Sequence, residues 1–175
     1  NTLIGTAENG HTYPGATSPF GLIQASPETG NDGWKYCSGF NLSDDSIIGF
    51  AQTHLSGTGG PGLGDILLLP FSHDKNSFPY KTKYEKDSQV ATAGYYSVVL
   101  PDENIQVEMT TTQRTAFYRF IYKASDEPRQ LLLDLQNGIA GWGKNVNQLV
   151  LSATMQTPNA YTITGYNDIE AWVHR

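Results

Sequence analysis

The chain has 175 residues and a formal net charge of −6 at pH 7. That length suggests one domain with a sizeable core. The negative charge argues against a nucleic acid or an anionic membrane as a partner, and no apolar run in the sequence is long enough to cross a bilayer. Because there is one cysteine, an internal disulfide is excluded, and the sequence neither demands nor forbids an oxidising compartment.

The composition favours a β protein. Glycine occurs 18 times and proline 9 times, beside 10 tyrosines, 7 phenylalanines and 3 tryptophans. Such a profile is typical of many short strands joined by tight turns. No long window keeps apolar residues at helical spacing, so we predict an all-β chain of about ten strands, arranged as antiparallel sheets in a β-sandwich.

In chain order, residues 1–20 predict an ordered loop, because their glycines and prolines disfavour both helix and strand. The clearest strand signal is the alternation of Ile105, Val107 and Met109 with polar residues. Residues 72–89 predict a solvated edge with one short alternating piece. The predicted strands are 21–26, 47–55, 65–71, 94–100, 105–112, 117–122, 130–135, 146–155, 161–164 and 171–173.

The end of the sequence predicts strand, turn and strand, and the chain stops inside the second of these strands. A domain seldom ends within such a pattern. We therefore expect residues 1–175 to be the front part of a longer protein, truncated at its C-terminal end.

The stretch from residue 32 to residue 65 has the composition of a pocket. It mixes Trp34, the only cysteine (Cys37), His54 and a dense glycine run. A site for a small polar ligand needs an apolar floor and a few polar groups that fix orientation. The indole of Trp34 suits the apolar face of a sugar ring, although it could instead plug one end of the sandwich. His54 ends an apolar run, where a histidine is either a hydroxyl partner or a satisfied structural residue.

Other chemistries are less well supported. Residues 57–62 match the G-x-G-x-x-G pattern, but a strand rather than a helix follows, so we reject dinucleotide binding. Cys37 lacks the signatures of a cysteine nucleophile, and we expect a small pocket-wall residue. The spacing of the histidines gives no zinc motif. The acids considered for hydroxyl binding, calcium or catalysis are Asp32, Asp44, Asp45 and Asp65, and we favour turn or cap roles for all but Asp32.

At these residues the sequence resembles the N-terminal part of glycoside hydrolase family 92, the calcium-dependent exo-acting α-mannosidases. The most specific matches are His-Thr-Tyr-Pro-Gly-Ala-Thr-Ser-Pro-Phe-Gly-Leu at 11–22, Asp-Gly-Trp-Lys-Tyr-Cys-Ser-Gly-Phe at 32–40 and Thr-His-Leu-Ser-Gly-Thr-Gly at 53–59. Further matches lie at 3–6, 26–27, 47–50 and 64–67, with weaker ones at 94–98 and 105–114. The resemblance covers nearly the whole chain.

The resemblance implies an N-terminal β-sandwich of the supersandwich type, followed by an (α/α)6 catalytic barrel that this chain lacks. It implies inverting hydrolysis of terminal α-linked mannose from glycans at the interface of the two domains, by a secreted or periplasmic protein. The catalytic carboxylates and the main ligands of a calcium ion would come from the barrel. This chain would supply pocket walls, for which the motif matches give Phe20, Gly21, Trp34, Cys37 and His54.

A second hypothesis remains open. The chain could be a self-contained, non-catalytic carbohydrate-binding β-sandwich. Saturable mannose binding by the isolated chain would favour that alternative, whereas the strand pattern at its end favours a domain of a larger enzyme.

Overall fold

A computed structural model describes residues 1–57, 59–72, 81–124, 126–140 and 149–171. Within these ranges the chain is all-β and its sheets are antiparallel, so the predicted fold class is confirmed. Two three-residue 3₁₀ turns, Trp34–Tyr36 and Pro101–Glu103, are the helical segments of the described part. None of the described helices has the length and hydropathy needed to cross a membrane.

The described residues form thirteen strands, three more than the sequence predicts. They are β1 Ala16–Thr17, β2 Gln24–Glu28, β3 Ser46–Ile47, β4 Gly49–Ala51, β5 Leu67–Phe71, β6 Thr82–Lys83, β7 Glu85–Thr92, β8 Tyr95–Leu100, β9 Ile105–Thr111, β10 Ala116–Tyr122, β11 Gln130–Asp134, β12 Leu149–Asn159 and β13 Thr162–Glu170. One sheet has the order β1-β2-β4-β5-β11 and the other β10-β9-β8-β7, while β12–β13 and β3–β6 form two-stranded pairs.

The core lies where β1 and β2 pack on β8 and β9. The alternation predicted for β9 is confirmed, since Ile105, Val107 and Met109 are buried and the residues between them are partly exposed. Burying an apolar side chain of this size contributes about 1.5–3 kcal/mol. The other buried members of this cluster are Ala16, Ala25, Phe40, Ile47, Phe50, Tyr84, Tyr96, Val98 and Leu100.

The predicted strand 47–55 is wrong in its extent. Residues 46–47 pair with β6, whereas 49–51 form β4 and pair with β2 and β5. Beyond β4 the ladder gives way to loop contacts, in which the Gln52 amide donates to Asp65 and His54 forms a single bridge with Leu63. The apolar run therefore supplies two short strands, followed by the segment that carries His54.

The predicted turn between 164 and 171 is also wrong. β13 runs continuously through Gly165, and the hairpin turn lies earlier, where the Tyr161 amide donates to the Asn159 side chain at 2.9 Å. A Cβ at Gly165 would stand 2.2 Å from the carbonyl oxygen of Thr154. This glycine therefore permits close strand approach instead of marking a turn. The predicted strand residues 146–148 and 172–173 lie outside the described residues.

Candidate functional site

Trp34 lies in a short 3₁₀ turn, with its indole partly exposed (37%). The preceding Gly33 has φ +95°, a left-handed conformation that favours glycine and lets the chain turn sharply before the indole. The imidazole of His11 meets the indole at 4.5 Å between ring centroids and 87° between planes. This edge-to-face contact is a favourable geometry for two aromatic rings. It fixes one side of the Trp34 ring and leaves part of it accessible.

The glycine-rich segment that carries Gly57 and Gly59, called the glycine loop below, borders the rings of His11 and Trp34. The Gly57 amide donates to the carbonyl of His11 at 2.5 Å. A Cβ at Gly59 would stand 3.1 Å from Cη2 of Trp34 and 3.5 Å from Nδ1 of His11. Bare backbone therefore lies against both rings. His11 is buried, and its Nε2 has no hydrogen-bond partner within the described residues.

His54 lies deeper than its place beside the glycine loop suggests, and its side chain has no solvent exposure in this chain. Its Nδ1 donates to the carbonyl of Gln24 at 2.7 Å. On one side the ring of Tyr13 lies against it, 5.1 Å between centroids. Tyr13 in turn is held by the contact of its hydroxyl with Thr17 Oγ1 at 3.1 Å. His54 thus joins β2 to the loop that carries His11.

Glu28 is the residue that the sequence analysis missed. At the end of β2 its carboxyl is fully buried, with Oε1 3.3 Å from Nε2 of His54. Asn137 Nδ2 donates to Glu28 Oε2 at 2.9 Å and to the carbonyl of Gly64 at 2.7 Å. Burial raises the pKa of the Glu28 carboxyl, an effect that the contacts with His54 and Asn137 reduce. The predicted strand ends at residue 26, so nothing in the sequence marks Glu28 as buried.

Phe20 and Gly21 approach this region from another loop. Phe20 is fully exposed and has φ +56°, an uncommon backbone conformation for a bulky residue. The carbonyl of Gly21 accepts from Gln24 Nε2 at 2.8 Å, and Gln24 Oε1 accepts from the His54 amide at 3.3 Å. The side chain of Gln24 therefore links the Phe20–Gly21 loop to the segment of His54.

The acidic candidates do not converge. Asp44 pairs with Lys35, Asp45 accepts from the Ser46 hydroxyl at 2.7 Å, and Asp65 accepts from Thr53 Oγ1 at 2.8 Å. Asp32 forms a backbone bridge with Ala140. Within the described ranges, no group of three or more His, Cys, Asp or Glu side chains is placed to hold a metal ion. These four acids therefore do not form a calcium cage with one another.

Cys37 closes the Trp34 turn and is almost completely buried. Burial raises the pKa of its thiol, so at pH 8 less of it is thiolate than in an unfolded chain. We expect iodoacetamide to modify Cys37 at least about 10-fold more slowly in the folded full-length protein than in urea. Mass spectrometry of the Cys37 peptide over time checks this. Equal rates in the two states would show that the thiol is accessible.

The sequence matches the glycosyl hydrolase family 92 N-terminal domain over residues 1–175. The chain belongs to this family. The resemblance seen in its motifs is thereby confirmed.

Relatives of this family 92 domain agree with that assignment. An uncharacterized secreted glycosidase of Arthroderma benhamiae is 35% identical over 127 residues, which are 67% of this chain and 16% of that protein. A family 92 α-mannosidase of Bacteroides thetaiotaomicron, solved with mannoimidazole, matches at a TM-score of 0.90 and 34% identity over 98% of this chain and 23% of its own. An inverting mannosidase of the same organism shares the fold at a TM-score of 0.66 and 18% identity, with 98% and 27% covered. The chain thus spans 16–27% of the length of these relatives.

Proposed function

We propose that this chain is the N-terminal domain of an inverting exo-α-mannosidase that hydrolyses terminal α-linked mannose from glycans. The chain contributes loops to a sugar pocket, which it shares with a downstream catalytic domain. The observation that carries this proposal is the partly exposed Trp34, held edge-to-face against His11 beside bare glycine backbone. The similarity to an α-mannosidase solved with mannoimidazole supports a sugar as the ligand.

Each candidate residue that this chain contributes to the sugar pocket has its own role. The Trp34 indole offers an apolar surface to the C–H face of a sugar ring. His11 is buried and holds the indole in place through its edge-to-face contact. Phe20 combines full exposure with a strained backbone, which is typical of residues that clamp ligands. Gly21 and Cys37 support the loops that carry Phe20 and Trp34. His54 contacts Gln24 and the ring of Tyr13, and so supports the loop of His11 from the interior.

The chemistry of hydrolysis needs further groups. An inverting glycosidase uses two carboxyls about 6.5–9.5 Å apart, one as acid and one as base. Glu28 has no exposure with which to meet water or a glycan, and Asp65 is buried. In line with what the family resemblance implies, we assign the general acid, the general base and the main calcium ligands to the downstream domain. Like the fungal relative, which is called secreted, the protein would act outside the cytoplasm, in the medium or the periplasm.

Mannose release tests this division of labour. We expect the full-length protein with calcium to release mannose from an α-linked mannobiose, and the chain 1–175, folded by circular dichroism, to release none. Release by the chain alone would place the catalytic carboxyls within these residues. A folded full-length protein that releases no mannose would contradict the proposed activity. If that protein is inactive while the isolated chain binds mannose saturably, the carbohydrate-binding module is the better account.

A further inference from the structure

We propose that Glu28 and His54 form a neutral pair joined by one proton, and that this pair positions the Tyr13 segment of the candidate sugar site and the Gly64 segment, which follows the glycine loop of that site. Both are positioning residues, since neither side chain is exposed to a ligand. The proposal rests on the proposed function for the identity of the site, but the pair itself follows from the hydrogen-bond geometry and the burial of these two side chains.

The tautomer of His54 follows from its partners. A backbone carbonyl can only accept, so Nδ1, 2.7 Å from the Gln24 carbonyl oxygen, must carry a hydrogen. A neutral imidazole with hydrogen on Nδ1 has a bare, accepting Nε2. That atom is 3.3 Å from Glu28 Oε1, and neither atom has another hydrogen-bond partner within the described residues. At this distance one proton between them satisfies both atoms.

The other oxygen of Glu28 shows which carboxyl atom holds the proton. Oε2 accepts from Asn137 Nδ2, whose two hydrogens are both used, the second by the Gly64 carbonyl. Asn137 is itself fixed, because its Oδ1 accepts from Asn31 Nδ2 at 3.0 Å. With Oε2 occupied as an acceptor, Oε1 is left to carry the hydrogen and donate it to His54 Nε2.

Burial decides between a neutral pair and an ion pair. Desolvation penalises a buried carboxylate, and it is the main reason why the pKa of Glu28 is raised. The negative charge of Asp65, the other carboxyl that acts on Glu28, raises it further. The neutral acid with neutral imidazole leaves no charge in this dry environment.

A continuous series of contacts links the pair to Trp34. The ring of Tyr13 lies against the His54 imidazole, and two residues earlier His11 meets the indole. On the other side, a Cβ at Gly64 would stand 2.6 Å from Glu28 Oε1, so the Gly64 turn packs directly on the carboxyl. A change of charge or shape at Glu28 therefore reaches the loop of His11 and Tyr13, which borders the sugar site, and also the Gly64 segment.

Glu28→Gln in the full-length protein distinguishes a neutral pair of Glu28 and His54 from an ion pair. An amide matches the protonated acid, since its NH₂ donates to Nε2 and its oxygen accepts from Asn137. We expect E28Q to melt within about 3 °C of the unaltered protein at pH 6. In an ion pair, the same change would leave an imidazolium facing an amide, and a fall of about 8 °C or more would overturn the proposal.

The pH dependence of thermal stability gives a second test of the neutral pair. Because the folded state binds the Glu28 proton more tightly than the unfolded chain, the stability it provides is complete below the ordinary carboxyl pKa and is lost as the pH rises through the raised pKa. The melting temperature of the unaltered protein should therefore fall more steeply with rising pH than the melting temperature of E28Q, because the amide of E28Q does not titrate. Parallel curves would overturn the proposal.

Glu28→Ala tests positioning. It leaves Nε2 without a donor and opens space beside the Gly64 turn, so we expect KM for mannoside to rise about 10-fold with a smaller change in kcat, and Gln to restore KM. A structural role alone predicts lower melting with unchanged KM, and that result would overturn the positioning claim. If E28A does not fold, the comparison of E28Q with the unaltered protein decides.

Nitrogen NMR of ¹⁵N-histidine-labelled full-length protein, assigned by comparison with His54→Gln, reports the tautomer without any need for activity. We expect hydrogen on Nδ1 and a bare Nε2 in the folded protein. Hydrogen on both nitrogens would overturn the neutral pair. If the unaltered protein releases no mannose, the proposed function fails, while the melting and NMR results still decide whether the proton is shared.

Discussion

Trp34→Ala should lower kcat/KM for mannoside hydrolysis by the full-length protein about 10- to 100-fold, with the protein still folded. The loss corresponds to about 1.4–2.8 kcal/mol of transition-state stabilisation, the range expected when a partly exposed tryptophan that contacts the ligand is removed. The indole offers a partly exposed aromatic face to the candidate site and is already held in place by His11. Kinetics over a range of mannobiose concentrations measures the change.

Two matched variants show whether this effect belongs to the site. Trp34→Phe keeps an aromatic face, so its loss should be smaller than that of alanine. Tyr161→Ala removes an aromatic side chain that is almost fully exposed on the β12–β13 hairpin, and its kinetics should match the unaltered protein. Unchanged kinetics for a folded W34A would remove Trp34 from the sugar site.

Gly64→Ala should destabilise the full-length protein by about 2–4 kcal/mol. Gly64 has φ +77°, a conformation that costs other residues about 1 kcal/mol or more. A Cβ there would also stand 2.6 Å from Glu28 Oε1 and 2.8 Å from Cγ1 of Ile139. Relief of these overlaps requires movement of the buried carboxyl. Urea unfolding, followed at the transition of this domain, measures the free energy.

Gly94→Ala is the control for backbone strain alone. Gly94 has nearly the same φ, +79°, but a Cβ there would meet no heavy atom within 4 Å. Gly94→Ala should lower the free energy of unfolding by about 1 kcal/mol. The difference between the two variants isolates the contact with Glu28 and Ile139. Equal losses would show that Gly64 does not pack tightly on the carboxyl.

The sheet framework could be predicted because it follows from short-range patterns. β9 alternates apolar and polar residues, and one face of it is buried in the core, so its period of two is visible in the sequence. The segment 47–55 could not be divided in the same way. Its division depends on which partner strands the tertiary structure supplies to residues 46–47 and 49–51, and apolar runs carry no such information.

The candidate site was predictable where its chemistry is concentrated in one stretch. Trp34 stands out among polar residues and glycines, and its turn is exposed. The buried carboxyl of Glu28 is different, because its partners His54 and Asn137 are 26 and 109 residues away in sequence. Gly165 shows the converse error, since a glycine that permits close approach of Thr154 looks the same in sequence as one that makes a turn.

The most direct measurement is the anomeric configuration of the first mannose released from an α-linked mannobiose by the full-length protein, followed by proton NMR before mutarotation. The proposed function predicts β-mannose first, because a water activated by one carboxylate attacks the face opposite the leaving group. Release of α-mannose first would contradict an inverting mechanism. A folded protein that releases no mannose would contradict the assignment of this domain to a mannosidase.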